Sequence, residues 1–201
     1  MQITIKIEEI NYGDVAVRVL PLLHGKAAKM GGAFGKTVYA MSNLPDSLVR
    51  EMMDAISMRE KNEILAAYAT EYSDKVLQML NGLSQNNGIG VMLSDCSMDA
   101  DLVIRAEVAY IDYPVIVERF LGVIRERLMS MGGAALLLRP MIQGASAVQI
   151  CNLMDRILGS RKEVFLCSLL NQNQQTLISA IEDAVRQQNI RLEIGSVAVE
   201  A

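Results

Sequence analysis

Apolar and polar residues alternate in two short stretches of the chain that lie about 100 positions apart. The first is ITIKIEEI, at residues 3–10, and the second is LVIRAEVAYI, at residues 102–111. Alternation with a period of two is typical of a β-strand with one buried face. Each stretch is therefore predicted to form a strand.

A helical pattern follows each predicted strand. Asn11 and Asp112 stand where a helix N-cap belongs, and Pro114 fits the first turn of the second helix. In the first stretch Pro21 interrupts the pattern, so we expect a kink or break there. In the second stretch apolar residues at helical spacing predict one continuous helix, through Tyr113, Ile116, Val117, Phe120, Leu121, Ile124 and Leu128.

Two further helical patterns and a closing strand are predicted in each half of the chain. The second helices lie around residues 49–56 and 150–157, and longer helices lie around 64–83 and 165–185. The last of these contains NQNQQ, from Asn171, as a candidate break. The turn-prone segments QNNG and RQQN then precede the strands IGVMLS and IRLEIG. The predicted order is β-α-α-α-β, written twice.

Shifting the sequence by 101 positions without gaps aligns it with itself from end to end. Substitutions mostly keep their character, as with Ile7 and Val108. The pattern predicts an internal duplication, with a first repeat at residues 1–100 and a second at 101–201. The identical pairs include Ile3/Ile104, Tyr12/Tyr113, Arg18/Arg119, Met53/Met154, Asp54/Asp155, Lys61/Lys162 and Leu65/Leu166.

The fold expected from this unit is α+β. Two strands alone are marginal in water, so we expect the two copies to form one compact pseudo-twofold domain with a small mixed sheet covered by helices. The alternative is two separate small domains. The only candidate linker, DCSMDADL, from Asp95, is too short to hold two domains far apart.

Composition narrows the function classes. The net charge is −4 with both signs interspersed, which argues against binding of nucleic acid or an anionic membrane. Neither a signal peptide nor a membrane span is expected. Three cysteines without a CxxC spacing and one histidine, His24, indicate neither a disulfide framework nor a metal site. We expect a cytoplasmic protein, with no cofactor motif.

The tetrapeptide Met-Gly-Gly-Ala occurs twice, and its glycines are Gly31, Gly32, Gly132 and Gly133. Glycine after a helical stretch is a natural C-terminal cap, so these positions are predicted to be structural loops. GGAFGKT is close to a phosphate-binding loop, but Met30 stands where that motif needs glycine, and a helix, not a strand, is expected before it.

The matched charged residues are the best candidates for a site, because core packing does not require a charge. One interpretation pairs each aspartate with a basic residue inside its own repeat. The other is a pocket between the repeats in which basic residues bind a small anionic molecule. The candidate set is Arg18, Arg119, Asp54, Asp155, Lys61 and Lys162.

The leading functional hypothesis is a non-catalytic interaction module that binds another protein or its own copy. It depends on the 51% apolar residues and on the 13 methionines, which suit either a soft core or an adaptable contact surface. The alternative is binding or catalysis of a small anionic ligand between the repeats. A third reading places enzyme chemistry in one repeat, at His24 and at Gly35, Lys36 and Thr37. The sequence leaves open whether the protein is an enzyme.

Overall fold

The computed structural model describes the backbone of residues 1–27, 39–131 and 139–201, and the side chains of 1–21, 39–131 and 139–201. It is an α+β fold. The strands are β1 (Gln2–Ile10), β2 (Val91–Met98), β3 (Val103–Ile111) and β4 (Leu192–Glu200). Helices α1 (Tyr12–Ala27), α2 (Asp46–Asp54), α3 (Met58–Glu71) and α4 (Ser73–Asn86) lie between β1 and β2. Between β3 and β4 lie α5 (Tyr113–Arg119), α6 (Leu121–Ser130), α7 (Arg139–Gly144), α8 (Ala147–Leu158), a 3-10 turn (Gly159–Arg161), α9 (Lys162–Gln172) and α10 (Gln174–Arg186).

The four strands form one sheet in the order β2-β3-β1-β4, and every neighbouring pair is antiparallel. The expectation of a mixed sheet is therefore wrong. Four residues join β2 to β3, and a connection that short can only join antiparallel strands, because parallel neighbours need a long crossover. At the centre, Thr4 of β1 lies opposite Arg105 of β3.

Each outer strand pair contains one irregularity in its register. In the β1–β4 pair the register shifts on both sides of the Ile7–Ile194 pair. In the β2–β3 pair it shifts on both sides of the Leu93–Val108 pair. Gly195 lies at the first irregularity, where an added Cβ would come within 2.6 Å of the Glu8 side chain. A larger residue at this position would therefore require the exposed Glu8 side chain to move.

The segment predicted as a linker is part of the sheet. Residues 95–98 belong to β2, and the turn that follows is closed by Asp99. The Asp99 carboxylate accepts hydrogen bonds from the backbone N–H groups of Asp101 at 3.1 Å and Val103 at 3.0 Å. It also pairs with Arg105 at 2.8 Å. An aspartate that binds nearby N–H groups is typical of tight turns.

The predicted N-caps are confirmed, but the helices divide differently from the prediction. Asn11 accepts from the backbone N–H of Asp14 at 2.9 Å, and Asp112 accepts from that of Val115 at 3.3 Å. Helix α1 runs through Pro21 without a break, whereas the segment predicted as one helix divides at Phe120 into α5 and α6.

The long helices also divide, so three helices per half was too few. A break falls in NQNQQ as expected, at Asn173, and another falls at Tyr72. The backbone angles at these two breaks are nearly the same, with φ −115 and ψ 32 at Tyr72 and φ −118 and ψ 36 at Asn173.

One face of the sheet carries the helices and the other is polar. Ile3 and Ile5 of β1 and Ala106 of β3 share a cavity with side chains of α4 and α10. Side chains that alternate with these are exposed, among them Lys6 and Arg105. The described structure thus has two layers, with helices packed on one face of the antiparallel sheet and a core between them.

Buried side chains are distributed unequally between the two halves of the chain. The larger core cluster is formed mainly by residues 111–199, with β1 and β2 packed against it. A second, small cluster is centred on Leu20 and Val49, against which Ala16, Val17, Met41 and Leu44 pack. The side chains of the first half are therefore less covered than those of the second.

Candidate functional site

Arg18 and Arg119 both reach the end of a helix that precedes an edge strand. The Arg18 guanidinium donates to the side-chain carbonyl of Gln188 at 3.1 Å. The Arg119 guanidinium donates to the backbone carbonyl of Asn87 at 2.8 Å. Gln188 follows α10 and Asn87 follows α4, so each arginine joins its own half to the other. Both arginines are exposed.

Lys61 and Lys162 lie against the two matched tyrosines. The ammonium of Lys162 is 3.9 Å from the Tyr113 ring centroid and 2.5 Å from a carboxylate oxygen of Asp155. The hydrogen bond to Asp155 raises the pKa of Lys162. Lys61 is buried, with its ammonium 5.7 Å from the Tyr12 ring centroid. Lys61 of α3 thus contacts Tyr12 of α1, and Lys162 of α9 contacts Tyr113 of α5. In each half, a contact between an ammonium group and an aromatic ring joins these two helices.

The two aspartates of the predicted site are exposed rather than close to a core. Asp155 pairs with Lys162, as the pairing interpretation expects for that half. Asp54 is exposed at the last position of α2, and it takes part in none of the ion pairs between described residues. Of the six candidate residues, the structure thus brings Asp155 and Lys162 together, while Arg18, Arg119 and Lys61 contact residues outside the set. The predicted loop glycines Gly31, Gly32, Gly132 and Gly133, the His24 side chain and residues 35–37 lie outside the described residues.

An ion cluster that the sequence did not predict joins the two halves at Asp14, whose carboxylate is buried while the two arginines reach the surface. The Asp14 side chain accepts from the guanidinium groups of Arg50 on α2 and of Arg191, the latter at 2.8 Å from its Nε. The backbone N–H of Arg191 also donates to it at 3.3 Å. These bonds, that to the Arg191 side chain first, lower the pKa of Asp14 to about 2. A carboxylate buried between two cations stays charged at neutral pH.

The positions 101 residues away carry an apolar set instead. Val115 stands 101 positions after Asp14, Cys151 the same distance after Arg50, and Gly90 the same distance before Arg191. A Cβ added at Gly90 would come within 3.0 Å of Val115. Glycine suits position 90 because the Val115 side chain occupies the space that a Cβ would need. A search for identical residues 101 positions apart could not find this cluster. The positions that correspond to Asp14, Arg50 and Arg191 carry Val115, Cys151 and Gly90, and none of these is charged.

A cavity lined by both halves lies between α4, α10 and the central strands. It is an apolar cavity of about 120 Å³. Both halves contribute to its wall, with Leu80 and Leu83 from α4 and Ile181 and Ala184 from α10. Its floor is formed by the central strands and includes Ile5 and Ile104.

The polar lining residues of this cavity are Ser84 and Arg119. The Ser84 hydroxyl is already engaged, because it donates to the backbone carbonyl of Val91 and accepts from the Val91 N–H at 3.1 Å. Arg119 is also engaged at its guanidinium by Asn87. The cavity therefore presents an apolar surface to whatever fills it.

The cysteines of the described residues are buried or half-buried free thiols. Burial raises the pKa of Cys96, Cys151 and Cys167, which keeps each thiol protonated at neutral pH. Within residues 1–21, 39–131 and 139–201, no three His, Cys, Asp or Glu side chains converge in a way that could hold a metal ion.

Two apolar side chains on α2 are exposed on the face that points away from the core. Leu48 and Met52 lie one helical turn apart and are 44% and 42% exposed. Val49, the next residue after Leu48 along the helix, is buried in the small cluster. We call Leu48 and Met52 the α2 stripe. An exposed apolar stripe on a short helix is a candidate contact surface.

Comparison of the chain with protein-family models, with curated protein sequences and with solved structures gives no match. Among the described residues, no helix combines the length and the apolar character needed to cross a bilayer.

Proposed function

We propose that the chain is a tandem duplication, with repeats at residues 1–100 and 101–201 folded into one domain. The sheet register supports this. In the central pair, Ile3 lies opposite Ala106 and Ile5 lies opposite Ile104, an arrangement that a twofold axis through Thr4 and Arg105 would produce. The irregularity at Ile7–Ile194 corresponds to the one at Val108–Leu93 when each residue is moved by 101 positions.

Contacts between the halves support the same proposal. Asn11 donates its backbone N–H to Arg191 at 2.9 Å, and Asp112, 101 positions later, donates to Gly90 at 2.8 Å. Gly88 and Asn189, also 101 apart, both have positive φ, at 57 and 58 degrees. The contacts of Arg18 with Gln188 and of Arg119 with Asn87 are related by the same shift.

A symmetrised chain tests the duplication. Residues 101–201 would be repeated in tandem, with Arg191→Gly in both copies because a Cβ at the matching position would meet Val115. If the repeats are equivalent, this chain unfolds cooperatively, and its two copies give one set of backbone amide signals by nuclear magnetic resonance. A folded chain with two sets of signals, or a chain that does not fold, would contradict the proposal.

We propose further that the protein is a non-catalytic binding module that associates with a second copy of itself through the α2 stripe. The observation that carries this is the exposure of Leu48 and Met52, whose apolar surface is removed from water when two copies meet. Met58 and Ile64 of α3 are also exposed, so apolar surface in this half extends beyond the stripe. A stable contact needs about 800 Å² from each partner, more than two side chains supply.

A second copy is the occupant we favour because a twofold contact places the stripe opposite its own image, so that apolar surface meets apolar surface. Methionine adapts its shape to a partner, which suits a surface that packs against its own image. Binding of an anionic ligand by the six matched residues has less support, since Lys162, Arg18 and Arg119 are each held by a different neighbour.

The test is the molar mass in solution over a range of protein concentrations, measured by light scattering after size exclusion. The wild-type chain should form a dimer, and the double variant Leu48→Gln with Met52→Gln should be a monomer. The matched control is Val148→Gln with Val164→Gln, which removes two exposed apolar side chains from the second half and should leave the dimer intact. A wild-type monomer at about 100 μM, a weak affinity for a protein dimer, would overturn the proposal.

A further inference from the structure

We propose that the cavity between α4, α10 and the central strands is a binding site for a small apolar molecule, of the size of a benzene ring or a short hydrocarbon chain. This inference is independent of self-association through α2. It concerns a different part of the molecule and a different class of ligand from the anionic one that the matched charged residues suggest.

The volume and the chemistry of the wall set the ligand class. The cavity measures about 120 Å³. An apolar cavity of about 150 Å³ in another protein stays dry and takes up benzene or xenon, so a space of this size can hold one small ring. A water molecule would be poorly stabilised in this cavity, because it needs hydrogen-bond partners. The Ser84 hydroxyl already bonds both backbone groups of Val91.

The space exists because small residues line the second half of the wall. Ala180 and Ala184 of α10 face the cavity, and Ala106 of β3 contributes to its floor. The residues 101 positions before them are Met79, Leu83 and Ile5, all of which are larger. Substituting one of the alanines by a larger residue should therefore fill the cavity without removing any existing contact.

Access is through the part of the wall near Arg119. The residue is exposed and also lines the cavity, so its aliphatic stem bounds the opening while its guanidinium bonds Asn87 outside. A ligand that carries a carboxylate on its apolar body could place that group at the guanidinium. Every ligand of this cavity needs an apolar body. A carboxylate on that body would add affinity only where it lies at the Arg119 end of the cavity.

The experiment uses benzene and benzoate as probes with the full-length protein. Methyl signals of isoleucine and leucine would be followed by nuclear magnetic resonance during titration. We expect saturable shifts at Ile104, Leu80 and Ile181, and at least tenfold weaker binding of benzene to Ala184→Leu. The control is Ala67→Leu, the same change at an exposed position of α3, and it should bind as the wild type does.

A second filling variant keeps the test decisive if Ala184→Leu does not fold. Ala180 is only half-buried, so Ala180→Leu is better tolerated and should weaken binding in the same way. If benzene and benzoate bind with equal affinity, the site recognises only the apolar part of its ligand. If benzoate binds more tightly and Arg119→Gln removes that difference, the site also recognises a carboxylate through Arg119. An absence of saturable shifts, shifts confined to methyl groups outside the cavity, or unchanged binding to both filling variants would overturn the proposal.

Discussion

Helices α2 and α8 begin 101 positions apart and carry a similar apolar pattern, yet they are covered to different extents. Met52 of α2 is 42% exposed, whereas Leu153, 101 positions later, is 7% exposed. Around Leu153, Ile142 of α7 and Ala145 belong to the same core cluster. In the first half, Met41 and Leu44 pack instead against the cluster of Leu20 and Val49. The pattern specifies a helix and its inner face, but its neighbours decide how much of the other face is buried.

Truncating the matched methionines should reveal this difference most strongly. Met154 is fully buried, and Met53, 101 positions earlier, is half-buried. Met154→Ala should lower the free energy of unfolding by about 2–5 kcal/mol, because it leaves a cavity in a closed core. Met53→Ala should cost about 1 kcal/mol, the usual cost of a substitution outside a core. Unfolding in urea measures both, and equal losses would show that the two helices are packed equally well.

The strands were the part of the fold that the sequence predicted best. Alternation located β1 and β3 to within a residue or two, since each has one face on the core. It located the starts of β2 and β4 but not their ends. In β2, the register irregularity around Leu93 interrupts the alternation, so residues 95–98 looked like a linker. Their polar side chains belong to the solvent face of the sheet.

The helix breaks and the ion cluster were harder to predict. Pro21 predicted a kink or a break, and α1 has no break there, while Phe120 gave no signal of the break between α5 and α6. Asp14 was missed because its partner Arg191 is 177 positions away and nothing in the local pattern links them. Matching residues across the two halves found contacts that both halves share, such as those of Arg18 and Arg119. It could not find a contact that is present in one half alone.

The outer edges of the sheet offer the next comparison, since one asparagine in each half bonds both backbone groups of a residue in an edge strand. Asn171 of α9 bonds both backbone groups of Val199 in β4, accepting at 2.8 Å and donating at 2.7 Å. Asn81 of α4 does the same to Leu93 in β2, at 2.7 and 3.0 Å. Asn171→Ala should cost about 1–3 kcal/mol, because Val199 is buried and its polar groups would lose their partners.

Asn81→Ala is the comparison variant for the other edge strand and should cost less, about 1 kcal/mol, because Leu93 is half-buried and water can replace the amide. Both variants leave an edge strand open, so both should aggregate faster on heating than wild type. The free energy of unfolding and the rise of light scattering with temperature measure the two effects. A larger loss of unfolding free energy for Asn81→Ala than for Asn171→Ala would contradict this expectation, which depends on Val199 being more buried than Leu93.

The Asp14 cluster should make stability depend on pH in a way that the apolar set at Val115 cannot. The pKa of Asp14 is about 2 in the folded protein and near 3.8 without its partners. Folding thus favours the ionised carboxylate, so its contribution is complete above about pH 4 and is lost as the pH falls towards 2. The contribution is about 1–2 kcal/mol. Asp14→Asn should flatten the pH dependence of unfolding in this range.

Arg191→Gln serves as the control for this titration, since the hydrogen bond to its side chain is the largest cause of the lowered pKa. In that variant the pKa of Asp14 should move up towards its ordinary value, and the loss of stability should begin at a higher pH. A pH profile of Asp14→Asn that matches wild type between pH 2 and 4 would show that other carboxylates carry the dependence.

The smallest expected difference concerns the two lysine–tyrosine contacts. Lys162 lies 3.9 Å from the Tyr113 ring centroid, and Lys61 lies 5.7 Å from that of Tyr12. Attraction between an ammonium and a ring falls with distance, so a double-mutant cycle of Lys162→Met and Tyr113→Leu should give a coupling of about 0.5–1 kcal/mol. The cycle of Lys61→Met and Tyr12→Leu should give less. Equal coupling energies would mean that the distance to the ring does not determine the strength of these two contacts. They would also mean that the ion pair of Lys162 with Asp155 does not strengthen the contact of Lys162 with Tyr113.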